Sequence, residues 1–324
     1  MWTGLMFALG AGLMWGLVFV APLLMADYPP ALLVAGRYLA FGLIALPLAL
    51  ADRRSLKGLA GSDWLEACKL SAIGNFLYYL CLAGAIQRAG AALPTVIIGT
   101  LPVVIAISSN LRDHRRDGRL PWLQLSPALA LIAAGIACVN HAELQRLTAQ
   151  LDAGTEALRA YGEGAVLAVL AVACWTWYPI RNADWLRAHQ ERSPRVWATA
   201  QGLVTLPMAL LCFALLMGLP ATDWGLLPAG FELPLGPRPA AYLALMAAIG
   251  LFSSWIGTLC WNEASQRLPT SLVGQLIVFE TLAALAYAFA LAGRWPSGWT
   301  AGGIGLLIAG VILALRIKPQ ASTA

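Results

Sequence analysis

Two halves of this chain carry the same sparse pattern of residues, and nothing else restricts its fold as strongly. Ala72-Ile73-Gly74, Gln87-Arg88 and Pro94-Thr95 return as Ala248-Ile249-Gly250, Gln266-Arg267 and Pro269-Thr270. Trp15 stands 11 residues after Gly4, and Trp175 stands 11 residues after Gly164. Pro30 precedes Arg37 by seven, as Pro194 precedes Gln201. A repeat that holds an odd number of membrane spans must insert its second copy upside down. Inverted repeats of this kind are the architecture of secondary transporters.

The membrane enters through composition. Of 324 residues, 60% are hydrophobic and only 11% are charged, against roughly a quarter charged in a soluble domain. A bilayer needs about 20 apolar residues per helix. Ten segments meet that need: 3–26, 31–51, 65–87, 92–111, 121–140, 163–183, 195–218, 240–263, 270–292 and 298–317. The expected fold is an all-α membrane protein of ten transmembrane helices, arranged as two inverted five-helix repeats. The first repeat spans 1–140 and the second 163–318, with an external linker at 141–162 and a short tail at 319–324. Pro22, Pro47, Pro102, Pro179 and Pro207 fall inside spans, which neighbouring helices can tolerate. The start of the chain lacks a basic n-region, so the first segment is expected to stay as a helix.

Orientation follows from loop arginines and lysines. With the N-terminus inside, 14 basic residues fall on the cytoplasmic side and five (Arg88, Arg146, Arg159, Arg238 and Arg294) outside. Both termini are therefore expected in the cytoplasm of a multi-pass inner membrane protein. The six cysteines are scattered without a Cys-x-x-Cys pair, and the three histidines lie in loops. No metal site or other cofactor is expected. No nucleotide-binding Gly-x-x-x-x-Gly-Lys-Ser/Thr loop is present, which excludes an ATP-driven machine. An intramembrane His/Asp or Ser/Lys constellation is also missing, which argues against an enzyme. The expected partners are a small-molecule substrate and the lipid bilayer, with no nucleic acid. The small-residue faces of spans five and ten suit either a monomer or a homodimer.

Trp15-Gly16 in span one, Pro30…Arg37 in span two, Pro94…Pro102 in span four and the glycine-rich fifth and tenth spans resemble the drug/metabolite transporter superfamily, EamA type. The resemblance covers nearly the whole chain. It implies two inverted five-helix repeats around a central cavity lined mainly by spans one, three, four, six, eight and nine. It also implies export or exchange of amino acids and related metabolites. One position departs from the family: where a proline is common in span nine, this chain has Glu280, aligned with Pro102 of the first half.

Glu280 is the expected proton-coupling residue. It lies about ten residues from either end of its span, where a charged carboxylate costs roughly 2.5–3.5 kcal/mol. A structural acid, hydrogen-bonded between helices, is the alternative. Arg37 lies about 9 Å deep at the helical rise. It suits a substrate carboxylate held bidentately, a partner for Glu280, or a helix fastener that snorkels. The aromatic and amide set comprises Trp15, Asn75, Tyr78, Tyr79, Trp175, Trp177, Tyr178, Trp255, Trp261, Asn262 and Gln275. From it and Arg37, the expected substrate-binding residues are Trp15, Arg37, Asn75, Tyr79, Trp175, Tyr178, Trp261 and Gln275. Their apolar faces and polar handles fit a small organic molecule. Trp2, Trp64, Trp122, Trp224, Trp295 and Trp299 sit at span ends as interfacial anchors. Glu263 is read as a hydrated interfacial residue or an inner gate.

The function expected on these grounds is secondary export of a small amphipathic metabolite, an amino acid or derivative, by proton coupling or exchange through alternating access. The alternatives on the same fold are a translocase for a lipid or lipid-linked carrier, and a cationic drug exporter.

Overall fold

The computed structural model describes the chain except for residues 1, 20–23, 26, 90–93, 95–96, 113–119, 142–154, 219–230, 294 and 318–324. Much of the expected external linker, the short tail, Thr95, Pro22 and Trp224 thus lie outside the described residues. Among the described residues every regular element is helical. That is what a hydrocarbon solvent demands, because a helix satisfies its backbone groups internally. In chain order the helices are α1 (Trp2–Gly16), α2 (Pro30–Ala51), α3 (Arg53–Lys57), α4 (Gly61–Leu70), α5 (Tyr78–Ala89), α6 (Leu101–Asn110) and α7 (Trp122–Val139). The second half contributes α8 (Thr155–Ala188), α9 (Pro194–Gly218), α10 (Pro239–Ile249), α11 (Gly257–Arg267), α12 (Thr270–Leu276), α13 (Val278–Ala292) and α14 (Gly298–Leu315).

Seven helical stretches among the described residues are long and apolar enough to cross a membrane: Pro30–Ala51, Trp122–Val139, Arg159–Ala188, Pro194–Gly218, Pro239–Arg267, Leu272–Leu291 and Gly298–Leu315. The three other expected spans, at 3–26, 65–87 and 92–111, do not reach that length and hydropathy there. Helix α1 is 15 residues long and α6 ten, each beside undescribed residues. The helix that holds the sixth expected span extends beyond it at the N-terminal side, since α8 begins at Thr155. Leu210, Leu211, Leu215, Ile308 and Ile312 are exposed along helix sides. Outward apolar faces of this size suit lipid and not water.

Three interruptions shape the interior. Ser71–Leu77 and Gly250–Ile256 are π-helical stretches joining α4 to α5 and α10 to α11. They are separated by the same interval that separates Gln87-Arg88 from Gln266-Arg267. The ninth span breaks at Ile277, so that Glu280 falls in the first turn of α13.

The most extensive helix pairings are α7 with α14, α2 with α9, α5 with α8, α1 with α11, α1 with α13, and α6 with α12. Small residues permit several of them. A Cβ on Gly135 would lie 2.8 Å from the Gly303 carbonyl, and one on Gly303 would lie 2.7 Å from the Gly135 carbonyl. Helices α7 and α14 thus touch backbone to backbone, the membrane mode of close packing. A Cβ on Gly12 would lie 2.6 Å from Phe279 Cβ and 2.9 Å from the Glu280 nitrogen. That glycine brings α1 against the start of α13.

Candidate functional site

Helices α1, α8 and α11 bring three tryptophans together. Trp15 meets Trp175 edge-on at 5.4 Å between ring centroids, and Trp261 at 5.0 Å. Trp175 is also stacked on Tyr78 at 4.8 Å and on Tyr178 at 5.1 Å. The two glycines nearest this cluster make room for it. A Cβ on Gly257 would lie 2.7 Å from Trp15 Nε1, and one on Gly74 would run into the Tyr178 ring. The indole N–H groups of Trp175 and Trp261 are buried and meet no hydrogen-bond partner among the described residues. Buried donors of this kind are uncommon, and a bound molecule can satisfy them.

Two charges flank the aromatic cluster. Arg37 is only 8% exposed. Its Nε donates to Ser254 Oγ at 3.0 Å, from the second π stretch. Its guanidinium lies 5.1 Å from the Tyr38 ring centre and 5.9 Å from that of Tyr79. Glu280 is half-buried and within electrostatic reach of Arg37 and Tyr78. No ion pair joins it to Arg37 among the described residues, so the two opposite charges are held apart. An isolated charge in a low-dielectric interior is costly. That cost gives such charges a reason to act on a ligand or a proton.

The expected site residues do not all fall together. Trp15, Trp175, Trp261 and Tyr178 form one cluster, and Arg37 with Tyr79 forms the neighbouring one. Asn75 is half-buried on the first π stretch. Gln275 is fully buried on α12, ahead of the break before Glu280. Three participants were absent from the expected set. Ser254 anchors Arg37, Tyr38 pads it, and Asn182 ties the second half together. The Asn182 carbonyl oxygen accepts from Trp197 Nε1 at 2.9 Å and from Gln201 Nε2 at 3.0 Å, and its amide donates to Asn262 Oδ1 at 2.8 Å. Tyr178 donates its hydroxyl to Gln201 Oε1 at 2.9 Å.

Charged groups cross between the halves at one end of the bundle. Arg181 pairs with Glu66 at 2.5 Å, Arg112 with Asp184 at 2.6 Å, and Arg195 with Asp52. Trp185 donates to Asp63 Oδ1 at 3.0 Å, and Arg192 to the Gly58 carbonyl at 2.7 Å. Glu263 pairs with Arg267 on its own helix. At the other end, Arg238 pairs with Asp27, and Tyr28 donates to the Leu235 carbonyl at 2.9 Å. The Arg238 hydrogen bond holds the Asp27 carboxyl below its usual value.

Known proteins share both this sequence and this shape. The EamA-like transporter family matches residues 2–140. The inner membrane protein YtfF of Escherichia coli strain K12 is 51% identical over 319 residues, covering 98% of this chain and 96% of its own. The chain belongs to the EamA-like transporter family. A solved crystal structure 19% identical to it superposes with a TM-score of 0.67 over 96% of each chain, so the two share a fold.

Proposed function

We propose that this EamA-like protein exports a small amphipathic metabolite, an amino acid or derivative, by proton coupling or exchange. Two inverted five-helix repeats, 1–140 and 163–318, alternate the access of one central chamber. The observation that carries this reading is the buried aromatic cluster with its two partnerless indole donors. Trp15, Trp175, Trp261 and Tyr178 offer apolar faces, and the buried indole N–H groups of Trp175 and Trp261 meet no partner among the described residues, while Arg37 and Glu280 form no ion pair with one another. Trp15, Trp175, Trp261, Tyr178, Tyr79, Asn75 and Gln275 grip the substrate in this scheme. Arg37 meets its carboxylate, and Glu280 carries the proton.

The helix pairings support the repeat. Exchanging first-half spans for their second-half counterparts turns the pair α1–α11 into α8–α5 and returns α2–α9, α6–α12 and α7–α14 to themselves. The repeat mates Arg37 and Gln201 each meet the opposite half's π stretch. Arg37 binds Ser254, and the Gln201 carbonyl accepts from Ser71 Oγ at 3.4 Å. The basic loops assign the charged end to the cytoplasm, with both termini there. Among the described residues that end carries more ties across the halves than the other, where Arg238 and Asp27 also pair, which supports a state closed more tightly to the cytoplasm.

Mass-spectrometric profiling of the medium tests the function, comparing cells that produce the wild type with cells producing equal amounts of Glu280→Gln. A metabolite enriched outside only with wild type is the expected result. No difference between wild type and an empty vector would overturn export.

A further inference from the structure

We infer that Asn182 is a positioning residue that couples the aromatic chamber to the closure of the charged end. Trp197 Nε1 can only donate, so it fixes the Asn182 oxygen as an acceptor. The Asn182 amide then has to donate, and it does so to Asn262 Oδ1. Gln201 Nε2 donates to the same Asn182 oxygen, which leaves Gln201 Oε1 free to accept the Tyr178 hydroxyl. The polarity of the whole chain is thereby fixed from one indole N–H. Asn182, Trp197, Gln201 and Asn262 are all fully buried, so water cannot substitute for a lost partner.

The two ends of this chain have different neighbours. Tyr178 is stacked on the Trp175 ring, in the aromatic cluster. Trp197 is stacked on Trp185 at 3.5 Å, and the Trp185 N–H is bound to Asp63 of the first half. A displaced Tyr178 ring pulls on Gln201, hence on Asn182. The response reaches Trp197, Trp185 and the contact that ties the halves together. Coupling of this kind needs a contiguous network with two arrangements, and Asn182 is where its branches meet.

The inference rests on the alternating-access reading, and one experiment separates the two. Spin labels at Lys57→Cys and Gln190→Cys, in a cysteine-free background, report the separation of the halves at the charged end. Both sites are exposed. In the reconstituted protein, Trp185→Phe removes the Asp63 bond directly and is expected to populate a longer distance. Tyr178→Phe removes one hydroxyl far from that contact. It is expected to raise the long-distance population about fivefold, the equivalent of one hydrogen bond. Gln201→Met is expected to do the same, and adding Tyr178→Phe to it should change nothing further. If Trp185→Phe opens the end while Tyr178→Phe and Gln201→Met leave the wild-type distances, the gate is local and the coupling role is overturned. If Trp185→Phe opens nothing, the Trp185–Asp63 contact does not hold the end and the coupling route is overturned, while the ion pairs of the same end leave the alternating-access reading standing.

Discussion

The proposed roles of Glu280 and Arg37 differ, and substitutions separate them. Arg37 is anchored by Ser254 and padded by two tyrosines, so it keeps its place when the chamber is empty. Replacing it with alanine is expected to weaken carboxylate substrates roughly ten- to a hundredfold, the range for a hydrogen-bonded charge. Neutral substrates should lose far less, which a competition assay in vesicles would read. Glu280→Gln keeps shape and polarity but cannot release a proton. It is expected to fold normally and to lose transport driven by a pH gradient; undiminished proton-driven flux would remove Glu280 from the coupling step. Asp27 offers a titration outside the spans. Arg238 lowers its carboxyl below the usual 3.8. The contact therefore stabilises the fold above that pH, and it is lost only as pH falls through the lowered value. Arg238→Gln should return Asp27 to the ordinary range in an NMR titration, with an effect that salt weakens.

At the scale of helices, glycine decides where backbones approach. A methyl on Gly12 would strike Phe279 and the start of α13, whereas one on Gly305 meets nothing within 4 Å. Gly12→Ala is expected to cost about 1–3 kcal/mol, as overpacking does, and to displace Glu280. Gly305→Ala should leave the melting temperature unchanged. The sequence showed some of these elements and hid others. The sequence singled out both Trp15 and Trp175, which meet in the folded protein, because a large residue with a polar handle inside an apolar span stands out. The π stretches were not legible, since they are a change of hydrogen-bond register that composition does not mark. Ser254 and Asn182 escaped for a related reason. A serine inside an apolar span usually bonds its own backbone. Asn182 sits in an Arg-Asn-Ala-Asp run that reads as the end of a helix. The acids of the charged end were also passed over, because orientation is read from arginine and lysine alone. Asp52, Glu66 and Asp184 emerge as partners of arginines, and Asp63 as the acceptor for the Trp185 N–H, only once the halves are folded together.

For the whole molecule, the membrane character was plain from composition, and the EamA resemblance from a few scattered residues agreed with the family match and the E. coli relative. What folding adds is a set of ties across the halves, heavier at one end than at the other. One end is fastened by several ion pairs and an indole bond, the other by the Arg238–Asp27 pair and the Tyr28 hydroxyl. The aromatic cluster joins helices of both halves, and the buried indole N–H groups of Trp175 and Trp261 meet no partner among the described residues. The most direct test of an alternating chamber is the reactivity of Asn75→Cys, in a cysteine-free background, toward a membrane-impermeant maleimide applied from each side of oriented vesicles. Labelling is expected chiefly from the face opposite the charged end, shifting to the charged face when Trp185→Phe loosens the closure. Equal labelling from both faces regardless of Trp185, or none from either, would contradict a chamber that opens to one side at a time.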